Sequence, residues 1–272
     1  MTGIKTVLVT GSGGLVSGVL RPMLEEQYQL VGLDAVPVPA LDSHVVDVAD
    51  LESITPHFEG VDAVIHLAAD PSEKATWDSV LHNNLVGTYN VFEAAVRHGV
   101  RKIVFASSNH VTGMYERDYP YSDIVSGSYD KLEPGEYPFI TDRSPVRPDG
   151  YYGVSKEYGE SLARFYHEDS GISVACIRIG TVNRNNNPLG SIRHFATLCS
   201  HRDLAQLVQL CLKNDMFGFE IFYGVSNNTW RFWDIDHAKM VLGYEPKDNA
   251  ESFRKEFELL RQTEHSGNRI KE

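Results

Sequence analysis

Thr6-Val7-Leu8-Val9-Thr10-Gly11-Ser12-Gly13-Gly14-Leu15-Val16-Ser17-Gly18 sets an apolar, β-branched run directly before a glycine-rich turn and the start of a helix. Gly11 and Gly14 permit a tight turn and let backbone N–H groups approach a pyrophosphate at the helix N-terminus. A glycine loop alone is a weak signal, and its surroundings decide the fold. Strands are expected at residues 6–10, 29–33, 43–46, 63–67, 102–107 and 173–179. Helical patterns lie between them at 17–26, 50–58, 77–98 and 152–170. β-branched runs alternating with amphipathic helices predict an α/β, Rossmann-like doubly wound parallel sheet with right-handed crossovers.

The second expected strand runs into Asp34, about 20 residues beyond the glycine turn, where a carboxylate accepts hydrogen bonds from ribose hydroxyls. A negative charge there repels a 2'-phosphate and no Arg follows at once, so the expected cofactor is NAD rather than NADP. Gly11, Gly13, Gly14, Leu15 and Val16 form the expected cradle, although Ser17 stands where a third glycine usually sits. Asp47-Val48 follows the third strand, where an adenine ring is bracketed. Leu67-Ala68-Ala69 ends the fourth strand beneath the cofactor, and His66 before it reads as a structural histidine.

The 272 residues carry a formal net charge of −12, which opposes nucleic acid and requires a local Arg or Lys for any anionic substrate. Cys176, Cys199 and Cys211 share no metal or CxxC spacing and read as buried thiols in a reducing compartment. The histidines form no ligand-spaced set, so no metal is expected. The start of the chain has no apolar signal region and no stretch reaches membrane length, so the expectation is a cytoplasmic protein with no membrane partner. Residues 114–150, with Pro120, Pro134, Pro138, Pro145 and Pro148, are too long for an ordinary connection and read as a lid or surface decoration. The Asn-rich stretch 181–191 reads as an ordered loop, and the tail after Gln262 as polar and frayed.

Tyr152-Gly153-Val154-Ser155-Lys156 places a phenol and an ammonium four apart on one helical face. The ammonium is expected to favour phenolate and lower the tyrosine's pKa from near 10. Ser107-Ser108 at the end of the fifth strand supplies a hydroxyl. Thr10-Gly11-x-x-Gly14, Asp34, Asn84-x-x-Gly87-Thr88, Ser107-Ser108 and Tyr152-x-x-x-Lys156 together resemble the extended short-chain dehydrogenase/reductase family. The resemblance implies Tyr152 as acid/base, Lys156 as its tuning partner and Ser108 as the group that orients the reacting hydroxyl. It adds Asn84, Tyr152, Lys156 and Ile179 to the NAD contacts.

Ala106-Ser107-Ser108-Asn109-His110, Arg147-Pro148-Asp149-Gly150-x-Tyr152 and Arg178-Ile179-Gly180 further resemble uronate dehydrogenases and archaeal-type NAD-dependent glucose-6-phosphate dehydrogenases. That resemblance implies oxidation of C1 of a cyclic sugar carrying an anion at C6, a uronate, glucose 6-phosphate or sulfoquinovose. Asn109, His110 and Thr181 are then sugar contacts and Arg193 grips the anion, with Arg184 nearby. Asp70-Pro71 departs from the uronate pattern. The family resemblance also implies a homodimer or higher homo-oligomer through the helices at 77–98 and 152–170. The expected division is a cofactor domain at 1–180 and a small, interleaved substrate-binding lobe at 181–272. Rival readings are a sugar-nucleotide epimerase or dehydratase and a non-catalytic NAD-sensing protein. The first needs a larger C-terminal domain, and fewer than half of the 272 residues follow Lys156. The second has no use for Ser108, Tyr152 and Lys156 together. Trp230-Arg231-Phe232-Trp233 reads as aromatic packing, with sugar stacking as the alternative.

Overall fold

Alternation in β1 (Thr6–Thr10) shows how the chain builds two layers around one sheet. Successive strand side chains point to opposite faces. Val7 and Val9 therefore join one core and Leu8 the other. The computed structural model describes residues 3–72 and 74–268. The other strands are β2 (Gln29–Asp34), β3 (Ser43–Val45), β4 (Ala63–His66), β5 (Lys102–Ser108), β6 (Ser173–Ile179) and β7 (Phe219–Gly224). All pair in parallel, in the order β3-β2-β1-β4-β5-β6-β7. The order reverses between β1 and β4, which opens a crevice at the carboxyl ends of these strands.

Helices cover both faces. They are α1 (Leu15–Leu24), α2 (Leu51–Ile54), α3 (Trp77–Ser79), α4 (Gly87–Arg97), α5 (Tyr121–Ser126), α6 (Tyr151–Ser170), α7 (His194–Thr197), α8 (His201–Lys213), α9 (Asp236–Leu242) and α10 (Arg254–Asn268). Leu20 and Leu24 of α1 pack with Leu204, Leu207 and Cys211 of α8 against the Val7 face. Val91, Phe92 and Ala95 of α4 pack with Ala163 and Tyr166 of α6 against the Leu8 face. Burial on both faces is why the strands read as continuous apolar runs.

The structure adds a seventh strand, β7, to the six expected, and departs from the expected elements in three further places. The helix expected at 77–98 is α3 and α4 joined by π-helical turns over Val80–Val86, a widening often found at functional sites. Residues 114–150 contain α5 and are pinned to the C-terminal region. Ile140 N–H donates to the Phe232 carbonyl (2.8 Å), and the Tyr137 hydroxyl donates to the Arg231 carbonyl (3.1 Å). The tail is helical through Asn268 rather than frayed from Gln262 onward, and residues 269–272 lie outside the described residues. Residues 181–268 share the sheet with the rest, since β7 pairs with β6 and Gln209 of α8 donates to the Met23 carbonyl of α1 (3.0 Å).

Candidate active site

The crevice at the strand ends is a cleft of about 750 Å³, and residues from both halves of the sheet line it. Its first wall is the glycine turn. Gly11 has φ +68°, and a Cβ there would lie 2.8 Å from the Ala68 backbone nitrogen, so the turn has room only for glycine. Gly14 caps α1 in an extended conformation and, as glycine, offers the first turn of the helix no side-chain cap bond. Leu15, Val16 and Ser17 of that turn line the cleft, at the helix end where backbone N–H groups lack partners within the helix. Asp34 accepts from Gly13 N–H (2.8 Å) and Val36 N–H (3.1 Å), which holds its carboxylate on the same wall. An open glycine cradle, an uncapped helix start and a fixed carboxylate fit a dinucleotide.

Asp47, Val48, Leu67, Ala68, Ala69 and Ile179 also line the cleft. Asp47 accepts from Ala49 N–H and pairs with His82, both at 2.8 Å. Asn84 is the exception among the expected cofactor contacts. It is buried outside the cleft wall, where its amide accepts from Asp70 N–H (2.7 Å) and donates to Ser155 Oγ (3.0 Å). The π-helical turns aim it inward as a brace, and its neighbour Asn83 faces the cleft. His66 is buried between Thr10 Oγ1 (2.7 Å) and Thr88 Oγ1 (3.1 Å), and burial pushes its pKa down to about 3.

Ser108, Tyr152 and Lys156 converge at the centre. Ser108 ends β5 and hydrogen-bonds Tyr152 at the start of α6. Close approach of α6 depends on Gly153, where a Cβ would fall 2.4 Å from the His110 carbonyl oxygen. Lys156 Nζ lies 5.5 Å from the centre of the Tyr152 ring and 5.0 Å from that of Phe105. The Tyr152 pKa moves in the direction opposite to the one expected, because burial rather than the lysine dominates it. Burial pushes Tyr152 up to about 12, against the help of the Ser108 hydrogen bond and with Asp70 adding to the rise. Burial also pushes Lys156 down to about 7, which disfavours the ammonium that would favour phenolate. An ultraviolet difference titration of wild type against Tyr152→Phe, without cofactor, is expected to find this phenol ionising well above pH 10. A midpoint below 10 would mean that the lysine outweighs burial.

The far end of the cleft holds the groups expected to meet a sugar. Asn109 donates to the Ile179 carbonyl (3.1 Å). Asp149 holds the His110 ring through Nδ1 (2.8 Å), with the ring centre 5.7 Å from that of Tyr152. Thr181 shares a hydrogen bond with Thr197 (2.7 Å). Arg193 reaches Thr181 Oγ1 (3.4 Å) and Asn109 Oδ1 (3.3 Å), so these three residues form one cluster. Arg184 is not part of it. That side chain is exposed in the Asn-rich loop, which Asn183 closes by donating to the Asn187 carbonyl (2.7 Å). The Trp230–Trp233 aromatics also stand apart, with Trp230 stacked on Tyr129 (3.9 Å) and Trp233 on Tyr223 (5.8 Å).

Two charged groups escaped the sequence reading. Glu116 takes both Nε (2.6 Å) and Nη2 (2.7 Å) of Arg193. Glu160 accepts from Arg178 Nε and Nη2, both at 2.8 Å, and from Ser107 Oγ (2.6 Å). Arg178 Nη1 donates to the Tyr223 hydroxyl (3.0 Å), which bonds Thr112 (3.1 Å). This buried network ties β5, β6, β7 and α6 together directly behind Ser108 and Lys156. A signal for it was present: Arg178 is a lone cation in an apolar strand, and Glu160 lies one helical turn past Lys156.

Residues 7–206 match the NAD dependent epimerase/dehydratase family. An NAD-dependent glucose-6-phosphate dehydrogenase of Haloferax volcanii is 39% identical over 94% of this chain and 98% of its own length. A uronate dehydrogenase of Pseudomonas putida is 37% identical over 93% of this chain and 88% of its own. Among solved structures, a mutant uronate dehydrogenase from Agrobacterium tumefaciens complexed with NAD superposes with a TM-score of 0.78. Its identity is 33%, over 93% of this chain and 88% of the other.

Proposed function

This chain belongs to the NAD dependent epimerase/dehydratase family, and from that premise we propose how it works as an NAD-dependent sugar dehydrogenase: it oxidises the C1 hydroxyl of a cyclic aldohexose bearing a C6 anion to the 1,5-lactone. The observation that carries this reading is the meeting of Ser108, Tyr152 and Lys156 in the cleft that also holds the glycine turn and Asp34.

Gly11, Gly13, Gly14, Leu15 and Val16 bind the pyrophosphate of NAD, and Asp34 its adenosine ribose. Bound NAD supplies the two-electron acceptor. Ser108 holds the C1 hydroxyl by hydrogen bonding, and Tyr152 in its phenolate form takes its proton at the phenol oxygen, so the fraction of Tyr152 ionised against the pull of burial sets the supply of base. Lys156 stabilises the phenolate to the extent that it is protonated. Asn109 and His110 bond ring hydroxyls, and the fixed His110 ring keeps the sugar from turning. Arg193 and Thr181 receive the C6 group. An arginine fork suits carboxylate, phosphate and sulfonate alike, so it supports the class rather than one sugar.

The test is NADH formation with glucuronate, galacturonate, glucose 6-phosphate, sulfoquinovose and glucose. At least one C6-anionic sugar is expected to be oxidised with a higher kcat/KM than glucose, and Arg193→Ala is expected to raise its KM about tenfold or more. Silence with all five would turn the reading toward an epimerase. Leu81, Tyr89, Val154 and Phe165 are exposed on the helices from 77 to 97 and on α6, which supports self-association through them. The described helices include none long and apolar enough to cross a membrane. Three buried free thiols support a reducing, cytoplasmic setting.

A further inference from the structure

Among the described residues, Lys156 and Arg193 are the Lys and Arg side chains on the cleft wall; burial disfavours the charge of the first, and a carboxylate already pairs with the second. Burial holds Lys156 down to about 7. Arg193 already carries a bidentate carboxylate, since Nε and Nη2 donate to Glu116 at 2.6 and 2.7 Å. Glu116 stands behind Arg193 and off the cleft wall, near the end of the 3-10 segment Asn109–Arg117 that begins with the sugar-facing Asn109 and His110. On the cleft side, Arg193 Nη1 donates to Thr181 Oγ1 (3.4 Å) and Nη2 to Asn109 Oδ1 (3.3 Å).

We propose that Glu116 is a specificity-determining residue of the distal subsite: its carboxylate holds down the site's preference for an anionic sugar over a neutral one. The proposal deepens the sugar-oxidation reading and rests on it. The reasoning is electrostatic. The Arg193–Glu116 pair sums to zero charge and is only 25% and 15% exposed, so water screens it weakly. An anion reaching the Arg193 edge gains from the guanidinium and is repelled by the carboxylate close behind it. A neutral hydroxymethyl group keeps the hydrogen bonds of Arg193 and Thr181 and feels little of that repulsion. The effect scales with ligand charge, so a phosphate dianion is held back more than a carboxylate monoanion.

The test compares wild type with Glu116→Gln, which keeps the shape of the side chain and removes its charge. The ratio of kcat/KM for glucuronate to that for glucose is expected to rise about tenfold, through KM, and the ratio for glucose 6-phosphate to rise further. Glu116→Asp, which keeps the charge, is expected to retain the wild-type ratios. An equal shift for all three sugars, or weaker use of the anionic ones, overturns the proposal. Inorganic phosphate titrated calorimetrically into both proteins gives a readout independent of turnover. Binding about tenfold tighter in Glu116→Gln supports the proposal, and unchanged or weaker binding overturns it. If wild type oxidises none of these sugars, the substrate reading falls and the phosphate titration alone decides the role of Glu116.

Discussion

Replacing Tyr152 by phenylalanine is expected to lower kcat roughly a thousandfold while NAD still binds. The substitution removes one oxygen, the atom that hydrogen-bonds Ser108 and takes the substrate proton in the proposed reaction. It leaves the ring against His110 and the start of α6 in place. General acid–base groups contribute about 10²–10⁴-fold, and the upper half of that range applies because Ser108 is an alcohol with no basicity of its own. In the proposed reading NAD is held mainly by the glycine turn and Asp34, which line the same cleft, so its dissociation constant is expected to stay within about threefold. Stopped-flow turnover and fluorescence titration with NAD separate the two quantities. A variant that keeps most of its rate would remove Tyr152 from the chemistry.

The second large effect is on stability. Glu160→Ala leaves Arg178 buried at 1% exposure without its bidentate partner, and strips Ser107 of its acceptor. Burial works against the Arg178 charge. The Glu160 hydrogen bonds and the Tyr223 hydroxyl outweigh it and hold the guanidinium pKa above its ordinary value. Breaking such a pair from one side costs about 3–5 kcal/mol. For a chain of this size that corresponds to a fall in Tm of roughly 10 °C. Removing both charges together, as Glu160→Met with Arg178→Met, is expected to recover much of the loss, because no uncompensated charge then remains. Thermal melts followed by circular dichroism measure all three proteins. A single variant that melts within a degree or two of wild type would show that the network bears little of the fold.

The sheet was legible because parallel strands buried on both faces leave plain apolar runs. β1 and β6 occupy the spans expected, and β2 and β5 extend one residue further, to Asp34 and Ser108. β7 is not among the six strands expected, since Phe219 and Glu220 at its start are half-buried and break the apolar pattern. The residues proposed to hold the cofactor were legible as a group lining one cleft because they follow strand ends at regular spacing. Arg193 was read without Glu116, which lies 77 positions away in sequence and meets it through a segment whose path no local pattern reveals. Tyr152 and Lys156 were placed on one helical face, but spacing says nothing of burial, and burial decides the direction of both pKa shifts. Asn84 shows the same limit: the motif supplied the residue, and the π-helical turns decide where it points.

Tyr152, Lys156 and Glu160 stand on three successive turns of α6, so the proposed proton acceptor, its amine neighbour and the anchor in the sheet share one rigid rod. The groups that would touch the rest of the sugar hang instead from the irregular stretches around Asn109–Arg117 and from Thr181 to Arg193. Such an arrangement is modular. Exchanging those stretches between relatives would redirect the protein to new sugars while the reaction centre keeps its alignment, and selection for new substrates would be expected to leave the rod untouched.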